Sequence, residues 1–159
     1  MFFHAPWAQS SREGAILELM RILALDVGER TIGLALSDPM GVLATPHSVY
    51  LRVGTKRDIE AIFLVAVEQR ADALLVGIPI SIDGTINDQA RRVRRFYDAL
   101  AVKASVPVLT YNERFSSVEA DQRMIAAGMS MERQRSFRDA VAAAVFLQWY
   151  LDAQRSAGT

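Results

Sequence analysis

Between Arg21 and Val53 the chain passes through three strand-like stretches joined by links too short to hold another element, and from Thr55 its periodicity becomes helical. The stretches run from Arg21 to Gly28, Thr31 to Ser37 and Val42 to Val53, broken at Gly28-Glu29-Arg30 and at Asp38-Pro39-Met40-Gly41. Links this short join antiparallel neighbours, because a parallel pair needs a crossover of roughly a dozen residues, so the chain opens as a meander. After Thr55, Ile59, Ile62, Phe63, Ala66 and Val67 fall on one helical stripe, and the apolar run Ala73 to Gly77 returns to the sheet before Pro79 ends it. A second helix is expected from about Asn87 to Ala104, with Val93, Phe96, Tyr97 and Leu100 inward, followed by a fifth strand from Pro107 to Tyr111. Ser116-Ser117-Val118-Glu119 reads as a capping box with Ser116 as N-cap, opening a helix that ends near Gly128. A loop leads to a last helix from about Ser136 to Gln154, whose Ala140 to Leu147 stretch is apolar enough to require burial. The expected class is α/β: a five-stranded mixed sheet, with a three-strand antiparallel meander plus two parallel strands, flanked by helices.

Asp26 interrupts the first strand, Arg21-Ile22-Leu23-Ala24-Leu25-Asp26-Val27-Gly28. An unpaired carboxylate in such a run costs several kcal/mol, roughly, to desolvate, so it binds a cation, collects hydrogen bonds or does chemistry. Two more acids border apolar elements: Glu113 just past the fifth strand and Asp139 at the head of the apolar final helix. Sites in α/β sheets gather at strand carboxyl ends, which would bring Glu113 to Asp26 if their strands are near each other. Each acid also has a plain structural reading. Asp139 could complement a helix N-terminus, Glu113 could pair with Arg114, and Asp26 could accept amides of the Gly28-Glu29 turn.

Composition narrows the chemistry. The chain has no cysteine and only two histidines, His4 and His47, so a bound metal would be held by oxygen. Carboxylates from separate elements suit Mg²⁺ or Mn²⁺, and two such ions about 3.5–4 Å apart can activate water and stabilise the leaving oxygen of a phosphodiester. Eighteen basic residues balance eighteen acidic ones within 159 residues, so any nucleic-acid contact must be a local patch. No apolar stretch approaches the roughly 20 residues that span a bilayer, and Met1 to Trp7 lacks the pattern of a signal peptide, so a cytoplasmic protein with no membrane partner is expected. Residues 1 to 19 mix aromatics, Pro6, Ser10, Ser11 and Gly14 without periodicity and read as an N-terminal extension, with room for a short helix at about Ala15 to Leu19, ahead of one domain over 20 to 155.

Four stretches carry a resemblance to a known family. They are Leu25-Asp26-Val27-Gly28 leading to Ile32-Gly33-Leu34-Ala35 and Ser37-Asp38; Gly77-Ile78-Pro79 with Asp83-Gly84-Thr85; Asn112-Glu113-Arg114 with Ser116-Ser117-Val118-Glu119-Ala120; and Asp139-Ala140-Val141-Ala142-Ala143. In this order they resemble the YqgF/RuvX proteins, nucleases of the RNase H-like superfamily, from Met20 to about Leu151. The resemblance implies an RNase H-like fold and a catalytic triad of metal-binding acids at Asp26, Glu113 and Asp139 with Mg²⁺ or Mn²⁺. It also implies activity toward the immature 5′ end of 16S ribosomal RNA, related proteins having been considered Holliday-junction resolvases. Thr31 stands where the family commonly has a second basic residue after Arg30, Asn112 where Asp is common, and Ser116-Ser117 where Thr-Thr is common.

On the substrate side the expected contacts are Arg30, Arg114, Arg133, Arg135 and Arg138, the last three lying in a segment expected to be flexible, Gly128 to Arg138, that ends at Asp139. Arg91, Arg92, Arg94 and Arg95 crowd one helix and read first as a solvated face. Phe137 could stack on a base or belong to the core, and Asp83-Gly84 reads as a turn. The leading function is a metal-dependent endonuclease acting on precursor ribosomal RNA. Its alternatives are a resolvase of branched DNA, whose two symmetric cuts require a dimer, and a nucleic-acid-binding module without catalysis. A nucleotide-phosphate turn at Asp26-Val27-Gly28, as in two-domain sugar kinases and actin-like ATPases, is a distant fourth for one domain.

Overall fold

The computed structural model describes residues 20–80 and 83–157. The meander is present: β1 (Ile22–Val27), β2 (Thr31–Ser37) and β3 (Ala44–Leu51) pair antiparallel in sequence. Helix α1 (Thr55–Glu68) then leads to β4 (Ala73–Ile78), and α2 (Asp88–Lys103) to β5 (Val108–Asn112), both strands joining in parallel. The strand order is β3-β2-β1-β4-β5, which puts β1, with its carboxylate, at the centre. Helices α3 (Ser116–Ala126) and α4 (Met131–Ala157) complete the chain.

Alternation along β1 divides the core. Leu23, Leu25 and Val27 face α1 and α2, packing with Ile59, Ile62, Val93, Phe96 and Leu100, while Ile22 and Ala24 face α4 with Ala143, Phe146 and Leu147. Asp26 falls on the α4 face. Asn87 caps α2, its side chain accepting the Ala90 amide at 2.9 Å. The edge beyond β3 is tied down by Gln148 of α4, which accepts from the Ala44 amide and donates to the Val42 carbonyl.

Three local expectations change. α4 starts at Met131, so the segment expected to be flexible is helical from there on, and only residues 127–130 link α3 to α4. The Ser130 hydroxyl accepts the Arg133 amide at 3.3 Å and its carbonyl the Gln134 amide at 2.9 Å, while Met129 and Phe137 pack between α3 and α4. Ser116 is not an N-cap: it is buried in the first turn of α3, Phe115 occupies the cap, and no side chain closes the box. Val67 points outward, 78% exposed, because the buried stripe of α1 runs through Asp58, Ile59, Ile62 and Ala66. Among the described residues no helix is long and apolar enough to cross a membrane. The expected extension over residues 1–19, with its short helix, lies outside the described residues.

Candidate active site

Asp26 is flanked across the sheet by glycines. Its antiparallel partner on β2 is Gly33, and the parallel register with β4, Leu25 opposite Val76, brings Gly77 alongside on the other side. Neither glycine is there for a turn; each leaves room that another group fills. A Cβ on Gly33 would lie 2.1 Å from the carbonyl carbon and oxygen of Asp139, so the α4 backbone rests directly on β2 and carries Asp139 to Asp26. A Cβ on Gly77 would lie 2.5 Å from Glu113 Oε2 and 2.8 Å from the Phe146 ring, so those side chains occupy the space over β4. Glu113 leaves the carboxyl end of β5 and reaches across β4 to the central strand. This is how strands that are not neighbours bring their acids together.

The electrostatics follow from burial. Asp26 is pushed up from 3.8 to about 6, chiefly by desolvation; a hydrogen bond from Glu113 lowers it, the charge of Asp139 raises it and Arg138 lowers it. Glu113 is held well above the usual carboxylate range, again chiefly by desolvation, then by the charge of Asp26, by their hydrogen bond and by Asp139. Burial and the neighbouring carboxylates thus favour the protonated form of Glu113. Glu113 is 8% exposed and its Oε2 has no hydrogen-bond partner among the described residues. Asp139 is fixed from one side, its Oδ2 accepting from the hydroxyl of Thr31. The position where a basic residue is common in the resembled pattern is thus a hydroxyl that orients an acid.

Two of the structural readings fail. The Gly28 amide donates to the Thr31 carbonyl at 2.8 Å, so it does not hold Asp26. Asp139 is nine residues into α4, too far in to act on the helix N-terminus. Asp38, by contrast, is a turn-holding group: its carboxylate accepts the Met40, Val42 and Leu43 amides. Asp83 likewise accepts from the backbone and hydroxyl of Thr85.

The arginines divide. Arg138 stands beside the acids, but its guanidinium makes two hydrogen bonds to Asp121 of α3, at 2.8 and 3.0 Å. Arg135 is exposed, four residues before Asp139 and hence on the same face of α4, whereas Arg133 lies about 120° round the helix. Arg30 is exposed in the β1–β2 turn. Arg114 is exposed past Glu113, its guanidinium 5.4 Å from the centroid of the Phe115 ring. Arg91 and Arg94 pair with Asp88 and Asp98 along α2, and Arg92 reaches Glu29 at 4.0 Å, as a solvated face does. Phe137 belongs to the packing between α3 and α4.

Sequence reasoning missed Asp58 and Phe115. Asp58 is fully buried and accepts from Arg52 Nε and the Val53 amide at 2.9 Å. Arg52 in turn donates to the Gly28 carbonyl at 3.0 Å and lies over Phe96, so this ion pair braces the turn that follows Asp26. Asp58 sits four residues after Gly54, in the first turn of α1, a visible sign of a helix-start acceptor.

As a donor set, three carboxyls with an orphaned buried oxygen and no sulfur suit a hard dication. Among the described residues they are not drawn into a ready three-ligand cage.

Comparison with known proteins agrees with this architecture. The sequence model of the family described as "RuvX: Holliday junction resolvase" matches residues 20–153. Relatives named "Putative pre-16S rRNA nuclease" include one from Desulforamulus reducens, 38% identical over 133 residues that cover 84% of this chain and 97% of the relative. Another, from Roseiflexus sp. strain RS-1, is 38% identical over 135 residues, 85% of this chain and 96% of the relative. Among solved structures, T. thermophilus RuvC in complex with a Holliday junction substrate superposes with a TM-score of 0.57 at 20% identity, covering 86% of this chain and 96% of RuvC. The fowlpox virus resolvase does so with 0.54 at 11%, covering 84% and 98%. At these identities the structural likeness is one of fold, that of the RuvC-like, RNase H-type resolvases.

Proposed function

We propose, from the fact that this chain belongs to the RuvX family, that it is a nuclease whose reaction is metal-dependent hydrolysis of a phosphodiester bond in precursor 16S ribosomal RNA at Asp26, Glu113 and Asp139. The observation that carries the reading is the convergence of the half-buried Asp26 and the buried Glu113, gathered across an intervening strand whose Gly77 leaves room for the Glu113 carboxyl. A structural carboxylate would be satisfied by amides or an arginine. Here burial favours the protonated form of Glu113, and its Oε2 has no hydrogen-bond partner among the described residues.

Mg²⁺ or Mn²⁺, when bound, would supply an activated water and charge stabilisation at the leaving oxygen. Asp26, Glu113 and Asp139 would hold it, and Glu113 would give up its proton on binding. Thr31 keeps Asp139 turned toward the other acids. Arg135 and Arg138, with Arg30 and Arg114 at the rim, would neutralise the phosphates on either side; such contacts fix register without reading sequence. Arg138 must leave Asp121 to do so.

The ribosomal RNA substrate is favoured by the names of the relatives at 38% identity. A four-way DNA junction is the second reading, favoured by the family's description. The same ribosomal RNA reading supports work in the cytoplasm, and residues 1–19 read as an extension outside a nuclease domain of 20–155. The test is a cleavage assay offering both substrates side by side, with and without Mg²⁺ or Mn²⁺, alongside Asp26→Asn. Metal-dependent cutting of the RNA precursor, absent in the variant, is expected. Cutting of the junction alone would transfer the function to the second reading, and metal-independent binding without cutting would leave a binding module.

A further inference from the structure

We propose that Phe115 is a stacking platform for an unpaired nucleobase beside the cleavage position, so that the site accepts a strand that is single or splayed open there and disfavours a closed duplex. This rests on the nuclease reading and specifies its substrate. The starting observation is a backbone anomaly. The Ser116 amide donates to the Glu113 carbonyl at 2.9 Å, closing a turn over residues 113–116. Its third residue, Phe115, has φ 69° and ψ 0°, values that a type II turn demands there and that glycine or asparagine ordinarily supplies. A bulky aromatic in this region of backbone space is a genuine outlier.

Packing does not account for it. The Phe115 ring is 57% exposed and joins none of the three apolar clusters among the described residues. What the turn does is split its residues. Glu113 goes inward to Asp26, while Arg114 and Phe115 go outward, with the guanidinium over the ring at 5.4 Å. The Asn112 side chain accepts the Arg114 amide at 3.0 Å and fixes that arrangement. Val118, 54% exposed, stands one turn along α3 and extends the surface. Phe115 is two residues from Glu113, at most about 7 Å along the backbone, so a base lying on it belongs to a nucleotide adjoining the phosphate at the acids.

The occupant follows from this pairing. A cation and an aromatic face at the rim of a phosphodiester site match a flanking phosphate and a flat base. Stacking on an aromatic tolerates any base but needs that base out of its own stack, so it selects strand state and leaves sequence unread.

The test uses the full chain carrying Asp26→Asn, so that binding is measured without cutting. A short single-stranded RNA with 2-aminopurine at one position and a blunt duplex of the same sequence serve as probes. F115A should weaken single-strand binding about 10-fold and change duplex binding less than twofold, with loss of the stacking-dependent 2-aminopurine signal. F115Y and F115W should bind as the parent does, and F115L, apolar but not aromatic, should fail like F115A. F115G suits the positive φ, so it should melt no lower than the parent while losing single-strand affinity as F115A does. Full single-strand binding by F115L, equal losses on both probes, or a lower melting temperature in F115G would each return Phe115 to a structural role. Binding to both probes with no dependence on residue 115 overturns this inference alone, whereas binding to neither overturns the nuclease reading with it.

Discussion

Asp26, at a pKa of about 6, and Glu113, well above the ordinary range, are held there chiefly by burial, so the folded chain retains protons that the unfolded chain has released. Stability therefore falls as pH rises from about 4 through 6. Asp38, lowered by the Leu43 amide and its neighbours, and Asp121, lowered by Arg138, act with the opposite sign. Their contribution is present above the usual aspartate range and is lost only as pH falls below it, so the two windows do not overlap. Metal-free protein should accordingly be most stable near pH 4–5 and melt lower at pH 7. Asp26→Asn should flatten that decline, be at least as stable at pH 7, and abolish cleavage, while Mg²⁺ or Mn²⁺ should raise the melting temperature of the wild type more than that of the variant. Thermal melts across pH with and without metal check this. A variant that instead loses a few kcal/mol, beside a wild type indifferent to metal, would make Asp26 a structural group. Asp26 was legible because a charge in an apolar run has few explanations. Phe115 was not, because its exposure comes from a positive φ that no local pattern announces, and neither was the hydroxyl of Thr31, whose partner lies 108 residues away.

The elements were legible where periodicity is strong: the meander, the crossover helices and the apolar half of α4 all stand in the sequence as alternation, helical spacing or turn chemistry. What pattern could not supply was lateral order. That Glu113 meets Asp26 depends on β4 lying between β1 and β5 and on Gly77 leaving that strand bare, and nothing in the fifth strand itself records it. The start of α4 was missed for a related reason. Most of residues 131–138 are exposed and half of them are charged, so the helical stripe is too thin to see, although Ser130 ahead of good helix formers was an available sign. The glycine row gives the test at this scale. Gly33→Ala drives a methyl into the α4 backbone, which cannot swing aside as a side chain can, and should cost about 3 kcal/mol or more. Gly77→Ala meets the Glu113 carboxyl and the Phe146 ring and should cost less, about 1–3 kcal/mol, while displacing Glu113. Chemical denaturation ranks the two, and both should lose cleavage beyond what their unfolded fraction explains. Equal, small effects would mean that α4 and Glu113 do not rest on those glycines.

At the scale of the whole molecule, the nineteen residues before Met20 contribute none of the proposed acids and lie outside the family match over 20–153, so a protein beginning at Met20 should fold and cut as the full chain does. A folded but inactive truncation would give those residues a part in the chemistry. The balance of eighteen basic and eighteen acidic residues has a consequence for binding. With no net field to gather a polyanion, attraction must come from the few guanidinium groups near the acids, and each phosphate contact to a single strand should contribute about 0.7 to the slope of log K against log salt. Arg30, Arg114, Arg135 and Arg138 therefore predict a slope of no more than about 3, reduced further to the extent that Asp121 keeps Arg138. Helix geometry then separates two residues that look equivalent in sequence. Arg135, on the Asp139 face, should on replacement by alanine weaken RNA binding and remove about 0.7 from the slope, whereas Arg133→Ala, round the helix, should leave it nearly unchanged. Salt titrations of the two single variants decide it. Equal losses would mean that the strand wraps α4 beyond the acid face, and no loss in either would return both arginines to the solvated surface and leave Arg30, Arg114 and Arg138 to hold the substrate.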